Sequence, residues 1–311
     1  MPRHVSHQLQ SGILGLFDFD PALQGPTAGW RIVGMDRRLA SSVLLLQTLA
    51  LSACGDSPTG PQGRSSIDLS QPWKEGTPAS VGLRPAGIAS ALEAAAAVPR
   101  LMSLLVVRDG TLVVEEYYRG NQRDSLNDLR SVTKSVVSTL TGLAVQEGYL
   151  SGLDQTLGEL LPEAPFHFPE QREISLRHLL TMSGGFDWYE QGAIGYNEWI
   201  LSEDRIDFLL SKLLLDPPGL IFNYNSAAVH LLGVVLTEAT GLQLPELADQ
   251  LLFGPIGIAR SRWEPLPPHY NGGAGIDLRP RDLARLGQLF LQGGVSGDRR
   301  ILSESWIQEA T

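Results

Sequence analysis

Ser131-Val132-Thr133-Lys134 decides how this chain is read, because it sets a serine and a lysine three residues apart at the start of a helical pattern. On a helix those two positions share a face and their side chains can meet. A serine hydroxyl is a weak nucleophile until a neighbour takes its proton, and a lysine can do so only where burial and nearby positive charge favour its neutral amine. The positive end of the helix dipole favours negative charge developing at Ser131. About one Ser-x-x-Lys is expected by chance in a chain of this length, so the tetrapeptide takes its meaning from its surroundings.

Residues 101–118 (LMSLLVVRDGTLVVEEYY) read as two β-branched and aromatic-rich strands around Asp109-Gly110, the chemistry of a tight antiparallel turn, and predict a β-hairpin. After a polar connection over 119–129, an apolar periodic run from Val132 to Val145 stops near Gly148. Ser131 therefore falls in the first turn of a helix expected to be buried, where Lys134 is not a solvated surface charge.

Outward from this centre, the Ala-rich stretch 83–98 predicts a helix that packs on the hairpin. Apolar periodicity returns in 174–182, 202–215, 227–240, 244–253 and 280–291, read as helices. Gly241 stands where a left-handed helix stop is wanted, Pro217-Pro218-Gly219 forces a turn, Gly293-Gly294 ends another helix, and Ser303 caps a last one starting at Glu304. Two strands are too few for so many helices, since a two-stranded sheet is marginal alone. Further strands are expected.

The 311 residues are 43% hydrophobic, enough to supply a packed core. A net charge of −10 without basic clusters argues against nucleic acid as a partner. With the single cysteine Cys54 no internal disulfide can form, and no Cys/His cluster has the spacing of a zinc site. His4, His7, His167, His178, His230 and His269 are scattered and read as structural or exposed.

From Met35 the sequence runs through Arg37 and Arg38, an apolar stretch over 39–53, and then Leu51-Ser52-Ala53-Cys54. Residues 35–54 resemble a bacterial lipoprotein signal peptide ending in its lipobox. The resemblance implies cleavage before Cys54, lipid on its thiol, a membrane as partner, and a place in the cell envelope on the periplasmic or surface side. The run is short and interrupted by Ser and Gln47 for a membrane span; the alternative is a buried helix with a chance cysteine. Residues 1–34 read as an upstream extension outside the fold, with translation starting at Met35. Residues 55–74, rich in Gly, Ser and Pro, read as a flexible tether ahead of a folded domain over 75–311.

Phe222-Asn223-Tyr224-Asn225-Ser226 lies between the Pro-Pro-Gly turn and the helical pattern 227–240. Together with Ser131-Val132-Thr133-Lys134 it resembles the penicillin-recognising serine hydrolases, the group of class C β-lactamases, D-alanyl carboxypeptidases and esterases. That family's second motif is Tyr-x-Asn; here Tyr224 is kept and Ser226 takes the third place, as can occur in the 6-aminohexanoate-dimer hydrolase branch. Leu179-Leu180-Thr181-Met182-Ser183-Gly184-Gly185 is similar to the family's Leu-Leu-Thr-x-x-Ser-Gly turn. Gly272-Gly273-Ala274-Gly275 with Arg281-Asp282-Leu283-Ala284-Arg285 is similar to its Gly-rich turn and following helix.

The resemblance covers residues 75–311 and implies an α/β fold of the α+β type, an antiparallel sheet flanked by helices plus a mostly helical subdomain. The family's third motif, Lys-Thr-Gly or His-x-Gly, has no counterpart after Ser226. The resemblance thus leads to the expectation of a C-terminal truncation that removes the last strands and one oxyanion donor, a loss worth about 10²–10³ in turnover. Weak activity and poor stability of the 311-residue chain are expected with it.

The implied chemistry is acyl transfer. Ser131 attacks a carbonyl, Lys134 and Tyr224 share its proton, Tyr224 protonates the leaving group, and water clears the acyl-enzyme. Ser226 would hold Tyr224 and Lys134 or bind a substrate amide, while Asn225 faces elsewhere. Trp188 and Tyr189 would wall the substrate pocket, or serve as plain packing. Ser226 favours a small-molecule ester, amide or peptide over a β-lactam as substrate. No cofactor and no metal is signalled, and no phosphate-cradling Gly-rich turn is present. The other reading is a catalytically silent relative that binds cell-wall peptide or a protein, against which stands the cost of keeping a buried lysine beside a serine.

Overall fold

The computed structural model describes residues 66–191 and 195–311. The signal-like segment, Cys54 and the first part of the expected tether lie outside the described residues. The tether is shorter than composition suggests, because residues 66–74 are packed. Leu69 is 2% exposed and Trp73 7% exposed, and the Leu69 N–H donates to Ser296 Oγ at 2.8 Å. Two large apolar side chains outweigh the Ser and Pro around them.

Strand β1 (Lys74–Glu75) is followed by helix α1 (Pro85–Ala97) and by the hairpin strands β2 (Ser103–Arg108) and β3 (Thr111–Tyr117). Asp109 and Gly110 both take left-handed angles, φ 49° and 72°, the two-residue turn whose twist matches the strands it joins. Arg108 pairs with Thr111, and the register shifts by a bulge between Val106 and Val107. The hairpin gains a partner the sequence hides: β1 runs parallel to β3, giving the order β1-β3-β2. Helix α1 forms as expected but buries only Ala95, so its packing on the hairpin is thin.

Strand β4 (Asn127–Asp128) leads into helix α2 (Thr133–Gln146), followed by the short helices α3 (Leu157–Leu160), α4 (Leu176–Leu180), α5 (Tyr196–Leu201) and α6 (Arg205–Leu210). The helical pattern over 202–215 is only partly realised. Asp204 caps α6 by accepting from the N–H groups of Ile206 and Asp207, but Leu213 and Leu215 are extended and bond to Asp187 and Gly185. Their alternation served a backbone ladder instead.

Helix α7 (Ser226–Thr240) is buried almost all round, the pattern of a central core helix, and stops at Gly241 with φ 71°. It packs against α2, whose Val137, Leu140 and Ala144 are fully buried. The Val137 and Leu140 side chains each contribute about 1.5–3 kcal/mol through burial. Helix α8 (Leu244–Ala248) continues as a wider turn over Asp249–Phe253.

Strands β5 (Ser261–Trp263), β6 (Pro265–Leu266), β7 (His269–Tyr270) and β8 (Ile276–Leu278) follow. A second sheet, β4-β8-β5, has β8 at its centre, with Asn127 and Ser261 both opposite Leu278. Helix α9 (Pro280–Leu291) and helix α10 (Glu304–Ala310) come last in the chain, the latter capped by Ser303 Oγ, which accepts from Trp306 N–H at 3.2 Å. Among the described residues no single helix is long and apolar enough to cross a membrane.

Candidate active site

Ser131 sits in a 3₁₀ turn, Arg130–Val132, that runs directly into α2. Arg130, immediately before it, has φ 48°, a left-handed angle that costs a side-chain-bearing residue about 1–3 kcal/mol. Its neighbours hold it there. Arg130 N–H donates to Asp128 Oδ1 at 2.8 Å, and the Arg130 guanidinium pairs with the same carboxylate at 2.9 Å. Strand β8 grips both sides of the turn: Leu129 N–H donates to Ile276 O at 2.8 Å, and Ile276 N–H donates to Thr133 Oγ1 at 3.2 Å.

One helical turn on, Lys134 is 8% exposed and its amine points into the protein. Nζ lies 2.6 Å from Gly273 O, 2.9 Å from Ser226 Oγ and 3.3 Å from Ser131 Oγ. Tyr224 approaches the same amine through its ring face, with the centroid 4.9 Å from Nζ. The structure therefore brings Ser131, Lys134, Tyr224 and Ser226 together. The contact of Tyr224 differs from the expected one, since no hydrogen bond among the described residues joins its hydroxyl to Ser131 or Lys134. Asn225 points away, capping α7 by accepting from Ala228 N–H at 2.9 Å.

Glu190 belongs to this cluster, and sequence reasoning missed it. Ser226 Oγ donates to Glu190 Oε1 at 2.5 Å, while Oε2 accepts from Ser226 N–H at 3.0 Å and from Trp188 Nε1–H at 2.7 Å. Trp188 is 4% exposed and packs edge-on against Trp199, the ring centroids 6.5 Å apart. It sits in the core, where its indole N–H holds Glu190. Tyr189, by contrast, is 66% exposed. The only signal for Glu190 in the sequence is an acidic residue directly after Trp188-Tyr189; its partner is 36 positions away.

The carbonyl that holds Lys134 comes from a turn built to approach α7 closely. Asn271, fully buried, accepts from Gly273 N–H at 3.0 Å and Ala274 N–H at 3.1 Å, and its own carbonyl accepts from Trp263 Nε1–H at 2.7 Å. A Cβ at Gly273 would lie 2.6 Å from Ser226 O, and one at Gly272 would lie 2.8 Å from Val229 O. Gly272 N–H donates to His230 Nδ1 at 3.3 Å. Burial draws the His230 pKa down to about 3, with His269 and Arg205 adding positive charge nearby, so the ring is neutral and Nδ1 stays an acceptor. Two described cavities, of about 360 Å³ beside Trp73 and Gly110 and about 250 Å³ beside Arg281 and Arg285, include none of these residues in their linings.

A family model described as Beta-lactamase matches residues 94–308. The chain is 27% identical over 223 residues to the 6-aminohexanoate-dimer hydrolase of Paenarthrobacter ureafaciens, covering 66% of this chain and 56% of that protein. To Esterase EstB of Burkholderia gladioli it is 30% identical over 208 residues, covering 61% and 53%. The chain spans about half the length of the curated relatives it matches. Among solved structures, a penicillin-binding protein homolog from Caulobacter crescentus superposes with a TM-score of 0.57 at 17% identity, covering 72% of this chain and 73% of that one, which shows a shared fold. With its β-lactamase-like α/β fold and a family match that runs from α1 to α10, the chain belongs to the beta-lactamase family.

Proposed function

We propose that the protein is a serine hydrolase that opens an ester or amide through an acyl-enzyme on Ser131. The observation that carries this reading is the 3.3 Å approach of a buried Lys134 amine to Ser131 Oγ. Burying an amine costs several kcal/mol unless its bonds are satisfied, and here the satisfied bonds aim it at a serine hydroxyl.

In the proposed reaction Ser131 Oγ attacks the carbonyl carbon as Lys134 Nζ takes its proton. The tetrahedral species collapses when the bond to the leaving oxygen or nitrogen breaks and that atom takes the proton held by Lys134, relayed through the Tyr224 hydroxyl once the phenol turns from its ring-face contact toward the amine. Water attacks the acyl carbon, Lys134 accepts its proton, and Ser131 Oγ leaves with that proton. Ser226 holds Lys134 in place. Relatives named as a 6-aminohexanoate-dimer hydrolase and as esterases support ester or amide carbonyls as the substrate class. The activity of the whole protein is part of the proposal. Residues 35–54 support lipid attachment at Cys54 and an envelope location; Cys54→Ser would then move the protein from the membrane fraction to the soluble one.

A fluorophosphonate probe followed by mass spectrometry tests the central claim. The expected result is a single adduct on Ser131, absent in Ser131→Ala and formed at least about a hundredfold more slowly in Lys134→Ala. A folded wild-type protein left unlabelled would favour a binding relative without hydrolase activity.

A further inference from the structure

We propose that Glu190 is a positioning residue that fixes the direction of the hydrogen bonds around Lys134 and so keeps the amine's proton-accepting position turned toward Ser131. The proposal rests on the hydrolase reading above. It follows from counting donors and acceptors. Besides its carbon, the Lys134 nitrogen has three positions, and its three neighbours are Gly273 O, Ser226 Oγ and Ser131 Oγ. Gly273 O can only accept. Ser226 Oγ could accept from the amine or donate to it, and the choice decides where a neutral amine keeps its lone pair.

Glu190 makes that choice. A carboxylate only accepts, so at 2.5 Å from Ser226 Oγ it claims the single hydroxyl hydrogen and leaves Ser226 to accept from Lys134. Glu190 itself cannot turn away, because Oε2 is held by Ser226 N–H and by the indole N–H of the buried Trp188. Two N–H bonds of the amine are thereby committed to Gly273 O and Ser226 Oγ. Once the amine has given up a proton, the third position, its lone pair, faces Ser131.

Glu190→Gln keeps the shape and reverses the polarity. Its amide oxygen would take the place of Oε2 against the two N–H donors, which puts the NH₂ group against Ser226 Oγ. Ser226 would then accept from Gln and donate to the Lys134 lone pair, in competition with Ser131.

The test is the rate of Ser131 phosphonylation by a fluorophosphonate, resolved into kinact and KI, in the 311-residue protein and in Glu190→Gln, Ser226→Ala and the double variant, with thermal melts as controls for folding. Glu190→Gln is expected to lower kinact about a hundredfold with KI unchanged. Ser226→Ala is expected to lose about tenfold, and the double variant to return to the Ser226→Ala rate, because the misdirected hydroxyl is gone. A merely structural Glu190 would show losses that multiply in the double variant, and that result, or an unchanged kinact in Glu190→Gln, overturns the proposal. Should Glu190→Gln fail to fold alone, the double variant against Ser226→Ala still decides: equal rates support the proposal and a further loss overturns it. A wild-type protein without any Ser131 adduct would instead overturn the hydrolase reading itself.

Discussion

The Lys134 amine makes its shortest bond, 2.6 Å, to the carbonyl of Gly273, a residue 139 positions away in the chain. That bond exists because the Gly273 backbone lies directly on the first residue of α7, where a Cβ would meet Ser226 O at 2.6 Å and Ser226 Cβ at 3.2 Å. The nearest atom is backbone, so it cannot swing aside. Gly273→Ala is expected to push the turn off α7, lengthen the bond to Lys134 and slow Ser131 labelling at least about tenfold, with a stability cost of about 1–3 kcal/mol from overpacking. Labelling rates and urea denaturation would check both; an alanine variant with wild-type values on each would mean that the turn is not held by this contact.

The neutral imidazole of His230 holds the same turn from its other end and makes it sensitive to acid. Its folded pKa of about 3 lies below the ordinary 6.5, so the unfolded chain binds the proton first. Stability is complete above pH 6.5 and falls as pH drops from there toward 3, by about 2 kcal/mol at pH 5 from this residue alone. The charged and titratable groups near the ring are His269 and Arg205, and the Tyr270 carbonyl, the Gly272 N–H and the Trp199 ring also meet it. His178 and His269 are also shifted down by burial and act in the same direction. Urea unfolding at pH 7 and pH 5 should therefore show a lower midpoint in acid, and His230→Asn should reduce that difference without abolishing it.

Much of this was legible because certain residues permit few conformations. Asp109-Gly110, Gly241 and Ser303 marked a turn, a helix stop and a helix cap through local backbone chemistry, and each is found in that role. Strands β4 to β8 were not legible, since segments of two or three residues carry no periodicity and exist only through partners such as Ile276 and Trp263 that pair across the chain. The site divides in the same way. Ser131 and Lys134 are three positions apart on one helical face and can be read from spacing. Glu190 enters only because Ser226 lies beside it in space, and no local rule links positions 190 and 226. Leu213 and Leu215 show the reverse error, apolar spacing that looks helical but serves an extended pairing with residues 185–187.

Arg281 ties α9 to the front sheet through Glu115, and this gives a second acid-sensitive window. Arg281 Nε donates to Glu115 Oε1 at 2.5 Å, Nη2 also reaches Glu75 Oε1 at 2.6 Å, and Tyr117 donates its hydroxyl to Glu115 Oε1 at 2.5 Å. The hydrogen bond from the guanidinium holds the Glu115 carboxyl at about 2, below the ordinary 4.5, so its contribution is present above pH 4.5 and is lost as pH falls from 4.5 through 2. Glu115→Gln is expected to lose about 1.5–3 kcal/mol at pH 7, the scale of a hydrogen bond to a charged group, and to make the fall in stability between pH 4.5 and 2 less steep. The loss between pH 6.5 and 4.5, which belongs to His230 with His178 and His269, should survive in this variant and so distinguish the histidine effect from that of Glu115.

Gly142 on α2 lies under the indole of Trp306 on α10, and a Cβ there would stand 2.4–2.6 Å from three ring atoms. Two effects oppose each other in Gly142→Ala. Alanine in a helix interior gains about 0.5–1 kcal/mol over glycine, whereas displacing a Trp306 that is only 7% exposed forfeits close packing and costs about 1–3 kcal/mol. Overpacking wins, so the single variant is expected to melt lower than wild type. Trp306→Leu alone is also expected to destabilise, through the cavity left behind. In the double variant the smaller leucine makes room for the new methyl, so the two costs should fall short of their sum by at least about 0.5 kcal/mol. Strict additivity in urea unfolding would mean that α10 does not rest on Gly142.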